Sequence, residues 1–142
     1  MPRKQVRPPI PAVERIAVIQ KPLLFSFKHL DFNNEKFRPS ECSADYFHRL
    51  FQTLQRMSNW AVETFIDQDN EEHRHIIDFT ISSEPDGFRH VQGLDPEQLG
   101  VYDGWEFGVY PEQRWCQYRA HGIVIDDVFY IIWLDQEHRL FP

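Results

Sequence analysis

The chain is poor in cysteine, in glycine and in positive charge. Its 142 residues include 2 Cys and 6 Gly, and 15 Lys and Arg stand against 22 Asp and Glu, for a formal charge of −7. Two cysteines, Cys42 and Cys116, are too few for a disulfide framework, and both are read as reduced thiols of a cytosolic protein. The sequence holds no Gly-rich phosphate loop, no Gly-x-Ser-x-Gly elbow and no His-Glu-x-x-His motif, which removes the commonest nucleotide-binding, hydrolase and metalloprotease signatures. Long hydrophobic runs are also missing. The longest wholly apolar stretch, from Val128 to Leu134, falls far short of the roughly 20 residues that span a bilayer, so no membrane role is expected. Basic residues near the N-terminus have no apolar stretch behind them and do not read as a secretory signal. The acidic balance repels phosphate and argues against general nucleic-acid binding.

Aromatic residues, by contrast, are abundant, with 12 Phe and 4 Trp, a composition that disordered chains lack. The length suits one domain. Charge is split along the chain. Residues 1–21 carry Arg3, Lys4, Arg7, Arg15 and Lys21 against Glu14, a balance of +4, which leaves −11 on residues 22–142. Residues 1–21 also hold Pro2, Pro8, Pro9 and Pro11. Proline fixes φ and removes a donor, so this stretch reads as an extended, basic N-terminal arm, with Val13–Gln20 able to add an edge strand. Residues 22–142 read as a single domain.

Within that domain, Leu23, Phe25 and Phe27 alternate with other residues and predict a first strand. Asp31 to Glu35 is turn chemistry. Ser43 is placed to cap a helix over 44–57, whose Phe47, Leu50, Phe51, Leu54 and Met57 recur at three- and four-residue steps. Ser58 is placed to cap a second, short helix carrying Trp60, Ala61, Val62 and Phe65, and the two helices would form a hairpin. Asp67 to Glu72 reads as a charged loop, and Glu72 stands where a calcium loop would need glycine. Ile76–Ile81 predicts a strand, and 82–100, with Pro85-Asp86-Gly87, Gly93 and Asp95-Pro96, a long surface loop. Three strands follow: one on Trp105, Phe107 and Val109, one over Trp115–Ile125, and Val128–Leu134, apolar on both faces and so central. The order β-α-α-β-β-β-β predicts an α+β domain, with the helical hairpin packed on an antiparallel meander.

Two clusters could carry chemistry. His73, His75 and Asp78 offer alternate-residue imidazoles and a carboxylate of the kind that Zn²⁺ or Fe²⁺ takes, but neither a third His at motif spacing nor a Cys pair accompanies them, and no metal or other cofactor is assigned. The C-terminal block is richer. Arg119 and His121 share a strand face, the Asp126-Asp127 turn brings the chain back beside them, and Asp135, His138 and Arg139 follow the last strand. Histidine moves protons near neutral pH, and arginine neutralises phosphate. The competing reading packs His121 in the sheet and ties Asp135 to backbone donors of the C-terminal turn. The Trp and Tyr residues, with Arg114 and Arg119 among them, could stack bases.

The element order, together with Gly108-Val109-Tyr110, Arg119-Ala120-His121-Gly122 and the run from Phe129 to His138, resembles the RelE/HigB-type toxins of bacterial toxin–antitoxin modules. That resemblance implies a ribosome-associated endoribonuclease. It would have Arg119, His121 and His138 as catalytic residues, RNA as the target and an antitoxin or larger complex as protein partner; the candidate substrate-binding residues are Arg139, Arg114 and Tyr118, and the basic arm at 1–21 is the expected contact for a protein partner. The alternative is a non-catalytic binding subunit of a bacterial defence or mobile-element system.

Overall fold

The computed structural model describes residues 21–67, 73–89, 91–110 and 115–142. The expected edge strand in the arm, most of the 67–72 loop and Arg114 lie outside them. The elements are β1 (Leu24–Ser26), α1 (Ala44–Met57), α2 (Val62–Ile66), β2 (His75–Ile76), α3 (Pro96–Leu99), β3 (Gly104–Gly108), β4 (Arg119–Ile125) and β5 (Val128–Asp135), with 3-10 turns at Pro39–Glu41 and Phe79–Ile81. They form an α+β fold around one five-stranded sheet in the order β1-β5-β4-β3-β2. The sheet is mixed, where a purely antiparallel meander was expected: β1 runs parallel to β5, while the other neighbours are antiparallel. A parallel pair needs a long crossover, and the whole of the chain between β1 and β5 supplies it. β5 is interior, as its two-sided apolarity requires, but the middle strand is β4. Among the described residues no helix is long and apolar enough to cross a membrane.

Helix α1 starts where the sequence places it, with Ser43 Oγ accepting from Tyr46 N at 3.1 Å and satisfying one of the free amides of the first turn. Its buried side is rotated from the expected stripe. Tyr46, Leu50, Thr53, Leu54 and Met57 face inward, and Phe51 is 59% exposed. The cause is polar. Tyr46 Oη donates to the Arg119 carbonyl of β4 at 2.8 Å, and Thr53 Oγ1 sits 3.2 Å from the Tyr110 carbonyl just past β3, so this orientation brings both side chains to backbone acceptors. Ser58 does not cap α2. Its hydroxyl donates to Gln55 O at 2.7 Å and closes α1, while α2 begins at Ala61 without a side-chain cap.

Both faces of the sheet are covered. On one, α1 and α2 pack Leu50, Leu54, Met57, Val62 and Phe65 against Trp105, Phe107, Ala120, Phe129 and Ile131. On the other, the supposed surface loop at 82–100 sends Phe88 and Val91 inward to join Phe37, Ile77, Ile123, Trp133 and Leu140. That loop is therefore a cover, built of turns at Gly87 and Gly93 and of the short α3, which Asp95 and Gln98 close with a reciprocal capping box. The expected strand at 76–81 is cut to two residues. Asp78 accepts from Thr80 N at 3.1 Å and turns the chain into a 3-10 helix.

A β-bulge decides which residues meet on this second face. His121 pairs with Trp133 and Gly122 with Ile131, so Ile132 is an extra residue in β5. Trp133 and Ile132 therefore both join the second core, while Ile131 and Leu134 belong to the helix side. The parity change puts Asp135 beside His121.

Candidate functional site

Sheet register assembles a polar row across the second face. His75 of β2 pairs with Glu106 of β3, which pairs with His121 of β4, which pairs with Trp133 of β5; one step along, Arg119 pairs with Asp135. Because side chains alternate across a strand, these partners point the same way. Glu106, Arg119, His121 and Asp135 are all buried, in a sheet otherwise lined by aromatic and aliphatic groups.

The centre of the row is Glu106, 2% exposed. Arg119 Nε lies 3.3 Å from its Oε1 and His75 Nε2 3.2 Å from its Oε2. The His75 ring is close enough to pair with the carboxylate, but its N–H is not aligned on Oε2, which has no hydrogen bond among the described residues. Burial pushes the Glu106 carboxyl up, yet His75, His121 and Arg119 more than offset this, and it is held below the usual carboxylate range. The carboxylate in turn raises His75, against the opposing effect of burial. His75 Nδ1 lies 3.0 Å from the Ile76 carbonyl, so both ring nitrogens face acceptors, and this second contact also raises the pKa.

His121 is wholly buried, and neither ring nitrogen has a hydrogen-bond partner among the described residues. Its Nε2 stands 3.8 Å from both Glu106 Oε2 and Asp135 Oδ2, and its ring packs edge-on to Phe37 and Trp133. Burial lowers its pKa despite the two carboxylates. Asp135 accepts from Arg139 N at 2.7 Å and Leu140 N at 3.0 Å, so it holds the C-terminal turn by its backbone donors.

In front of this row is an open cleft of about 360 Å³, lined by His73, His75, Asp78, Glu106, Arg119 and His138, with Phe141 at its side. His138 Nδ1 lies 2.7 Å from the Phe141 carbonyl, an arrangement that puts the neutral ring's proton on Nδ1 and leaves Nε2 as the basic nitrogen. His73 Nε2 accepts from Trp115 Nε1 at 2.6 Å, which requires a neutral ring, and burial together with Arg119 lowers its pKa. Arg119 itself donates through Nη1 to the Cys116 and Tyr118 carbonyls at 2.7 and 2.9 Å. His73 and His138 have left-handed backbones, with φ of 52° and 57°; the only other such non-glycine residue among those described is Asp126, in the β4–β5 turn. Strained backbone of this kind concentrates at functional sites.

Of the residues singled out from sequence, Arg119 and His138 share this cleft, and His121 lies behind it in the core. Arg139 is exposed and does not line the cleft; its carbonyl accepts from Ser83 Oγ at 2.6 Å. Tyr118 lies on the helix side, donating to Asp45 Oδ2 at 2.9 Å with its ring against Tyr46. His73, His75 and Asp78 do reach one cleft, but no group of three or more His, Cys, Asp or Glu among the described residues has the geometry to hold a metal. Cys42 and Cys116 are free and half-buried, and burial pushes the Cys42 thiol up to about 11. Glu106 escaped the sequence reading. The available signal was a lone carboxylate between Trp105 and Phe107, in a strand whose neighbours are all apolar or glycine. Comparison with known protein families, curated proteins and solved structures finds no match to this chain.

Proposed function

We propose that the cleft is an acid–base site acting on RNA, in the manner of an endoribonuclease of the RelE/HigB type. The observation that carries this reading is the His75–Glu106 pair, in which a buried carboxylate raises the pKa of a cleft-lining imidazole, with His138 across the same cleft presenting Nε2 as its basic nitrogen. Two imidazoles facing one cleft, one of them with its pKa raised by a carboxylate, suit 2′-hydroxyl attack on a phosphodiester. His138 Nε2 takes the 2′-hydroxyl proton as that oxygen bonds to phosphorus. His75, its Nε2 turned toward Glu106, supplies positive charge near the departing 5′-oxygen, which takes its proton from water, and a 2′,3′-cyclic phosphate remains. Arg119 places a guanidinium at the cleft floor, beside the charge that the dianionic transition state develops.

The test is RNA integrity and product chemistry on incubation of the full chain with RNA, with and without ribosomes. Wild type should leave cyclic-phosphate ends, and His75→Ala and His138→Ala should each lose about 10²–10⁴-fold in rate. Intact RNA with wild-type protein, both with and without ribosomes, would sink the catalytic reading. Should a partner protein co-purify in that case, the chain is better read as a binding subunit, a role that the exposed Phe51 on α1 and the basic arm would also serve.

A further inference from the structure

His138 lines a second hollow as well, next to the acid–base cleft. This one is about 350 Å³ and open, and its walls are Trp115, Gln117, Glu137, His138 and Pro142. Trp115 is 67% exposed, an uncomfortable position for the largest apolar side chain, and yet it is pinned. His73 accepts its indole N–H at 2.6 Å, and the Arg119 guanidinium stands over the ring 5.7 Å from its centroid. Both anchors belong to the cleft. An exposed indole fixed in this way is a preorganised stacking platform, since the entropy of ordering it is already spent before a ligand arrives. Glu137 is anchored too. Its Oε1 accepts from Gln136 Nε2 at 3.2 Å, and Gln136 Oε1 accepts from Ser43 N at 2.6 Å at the start of α1.

We propose that this hollow is a base-recognition subsite that selects guanine from single-stranded RNA, with the base stacked on Trp115 and its edge read by Glu137. The proposal rests on the RNA-cleaving reading of the adjacent cleft. A planar ring on an indole satisfies any base, and paired bases in a duplex cannot reach it. A carboxylate adds the choice. Guanine alone presents two adjacent donors, N1–H and the N2 amino group, to two carboxylate oxygens; adenine, cytosine and uracil each set an acceptor beside their donor. Gln117 can follow either pattern, so the discrimination lies with Glu137.

The test uses guanosine, adenosine, cytidine and uridine 3′-monophosphates, titrated into the full chain and followed by tryptophan fluorescence and by the Trp115 indole N–H resonance. The guanosine nucleotide should bind tightest. Trp115→Ala should weaken all four by roughly tenfold or more, and Glu137→Gln should abolish the preference for guanine while leaving the other three unchanged. Trp115→Phe keeps a stacking ring and should retain most of the affinity, which separates stacking from loss of fold. Equal binding of the four nucleotides, no binding of any, or binding indifferent to Trp115→Ala would overturn the subsite. Guanine-selective binding with no cleavage of any RNA would support the subsite and sink the catalytic reading; cleavage without base preference would do the reverse.

Discussion

Replacing Glu106 by Gln keeps the shape of the side chain and removes its charge, and two consequences follow from the distances. Arg119 Nε stands 3.3 Å from the carboxylate and the pair is almost wholly buried. At an effective dielectric near 20 the attraction between two unit charges at that separation is about 5 kcal/mol, part of which offsets lost hydration. Stripping one member from a buried pair leaves the other charge uncompensated and costs about 3–5 kcal/mol. Glutamine still offers Arg119 a carbonyl oxygen, so the lower end applies, about 3 kcal/mol, measurable as a lower urea midpoint at unchanged m-value. The second consequence is chemical. Glu106 is the leading cause of the raised His75 pKa; in its absence burial and Arg119 act downward and only the Ile76 carbonyl still acts upward. The titration of the His75 ring, followed by NMR, should therefore move to lower pH in Glu106→Gln. If the variant is as stable as wild type within about 0.5 kcal/mol and His75 titrates as before, the buried row is not the electrostatic unit described above.

Two further outcomes follow from packing and protonation. A Cβ added at Gly122 would lie 2.0 Å from the Tyr130 carbonyl oxygen and 2.6 Å from the Phe129 ring, contacts that only a shift of β4 against β5 can relieve. Gly122→Ala should cost about 3 kcal/mol or more, seen in thermal melts, and should disturb the bulge and so the His138 and Trp115 resonances. Acid should destabilise the fold in two overlapping stages. His121 has a lowered pKa when folded, so its contribution is present above the ordinary histidine value and is lost as pH falls below it. Glu106, also lowered, contributes above the ordinary carboxylate value and loses that contribution as pH falls through its folded pKa. His75, raised, works in the opposite sense, its contribution fading as pH rises through its folded pKa. Urea unfolding in the mildly acidic range should show stability falling with pH, and a His121→Phe variant should lose the first of the two stages.

Local chemistry wrote much of the fold into the chain. Ser43 ahead of an amphipathic run, the Asp126-Asp127 turn and the apolar stretch from Val128 to Leu134 each act within a few residues, and each is where the sequence puts it. The reading went astray where distant groups intervened. Phe51 and Tyr46 exchange places because the backbone carbonyls of Arg119 and Tyr110 claim Tyr46 and Thr53. Ile76–Ile81 is largely a 3-10 turn because Asp78 captures Thr80 N, and the loop at 82–100 looked superficial because one buried Phe88 and one buried Val91 carry no periodicity.

The candidate site divides the same way. Arg119 and His121 on one face of β4 were legible from a two-residue spacing, as was Asp135 as a tie for the C-terminal turn. Glu106 was not, because a carboxylate in a strand is unremarkable until register sets it between two histidines and an arginine. Nor could spacing show that His121 sits behind the cleft while His75 fronts it, since burial depends on what the 82–100 cover and the C-terminal turn lay over each. The sequence by itself determined the order of the strands and of the first two helices, the α1 cap and the polar content of β4. Only tertiary structure decided, through the Gly122–Ile132 bulge and the strand order, which of those polar groups lost their water and which faced a cleft, because desolvation is a property of neighbours far apart in the chain.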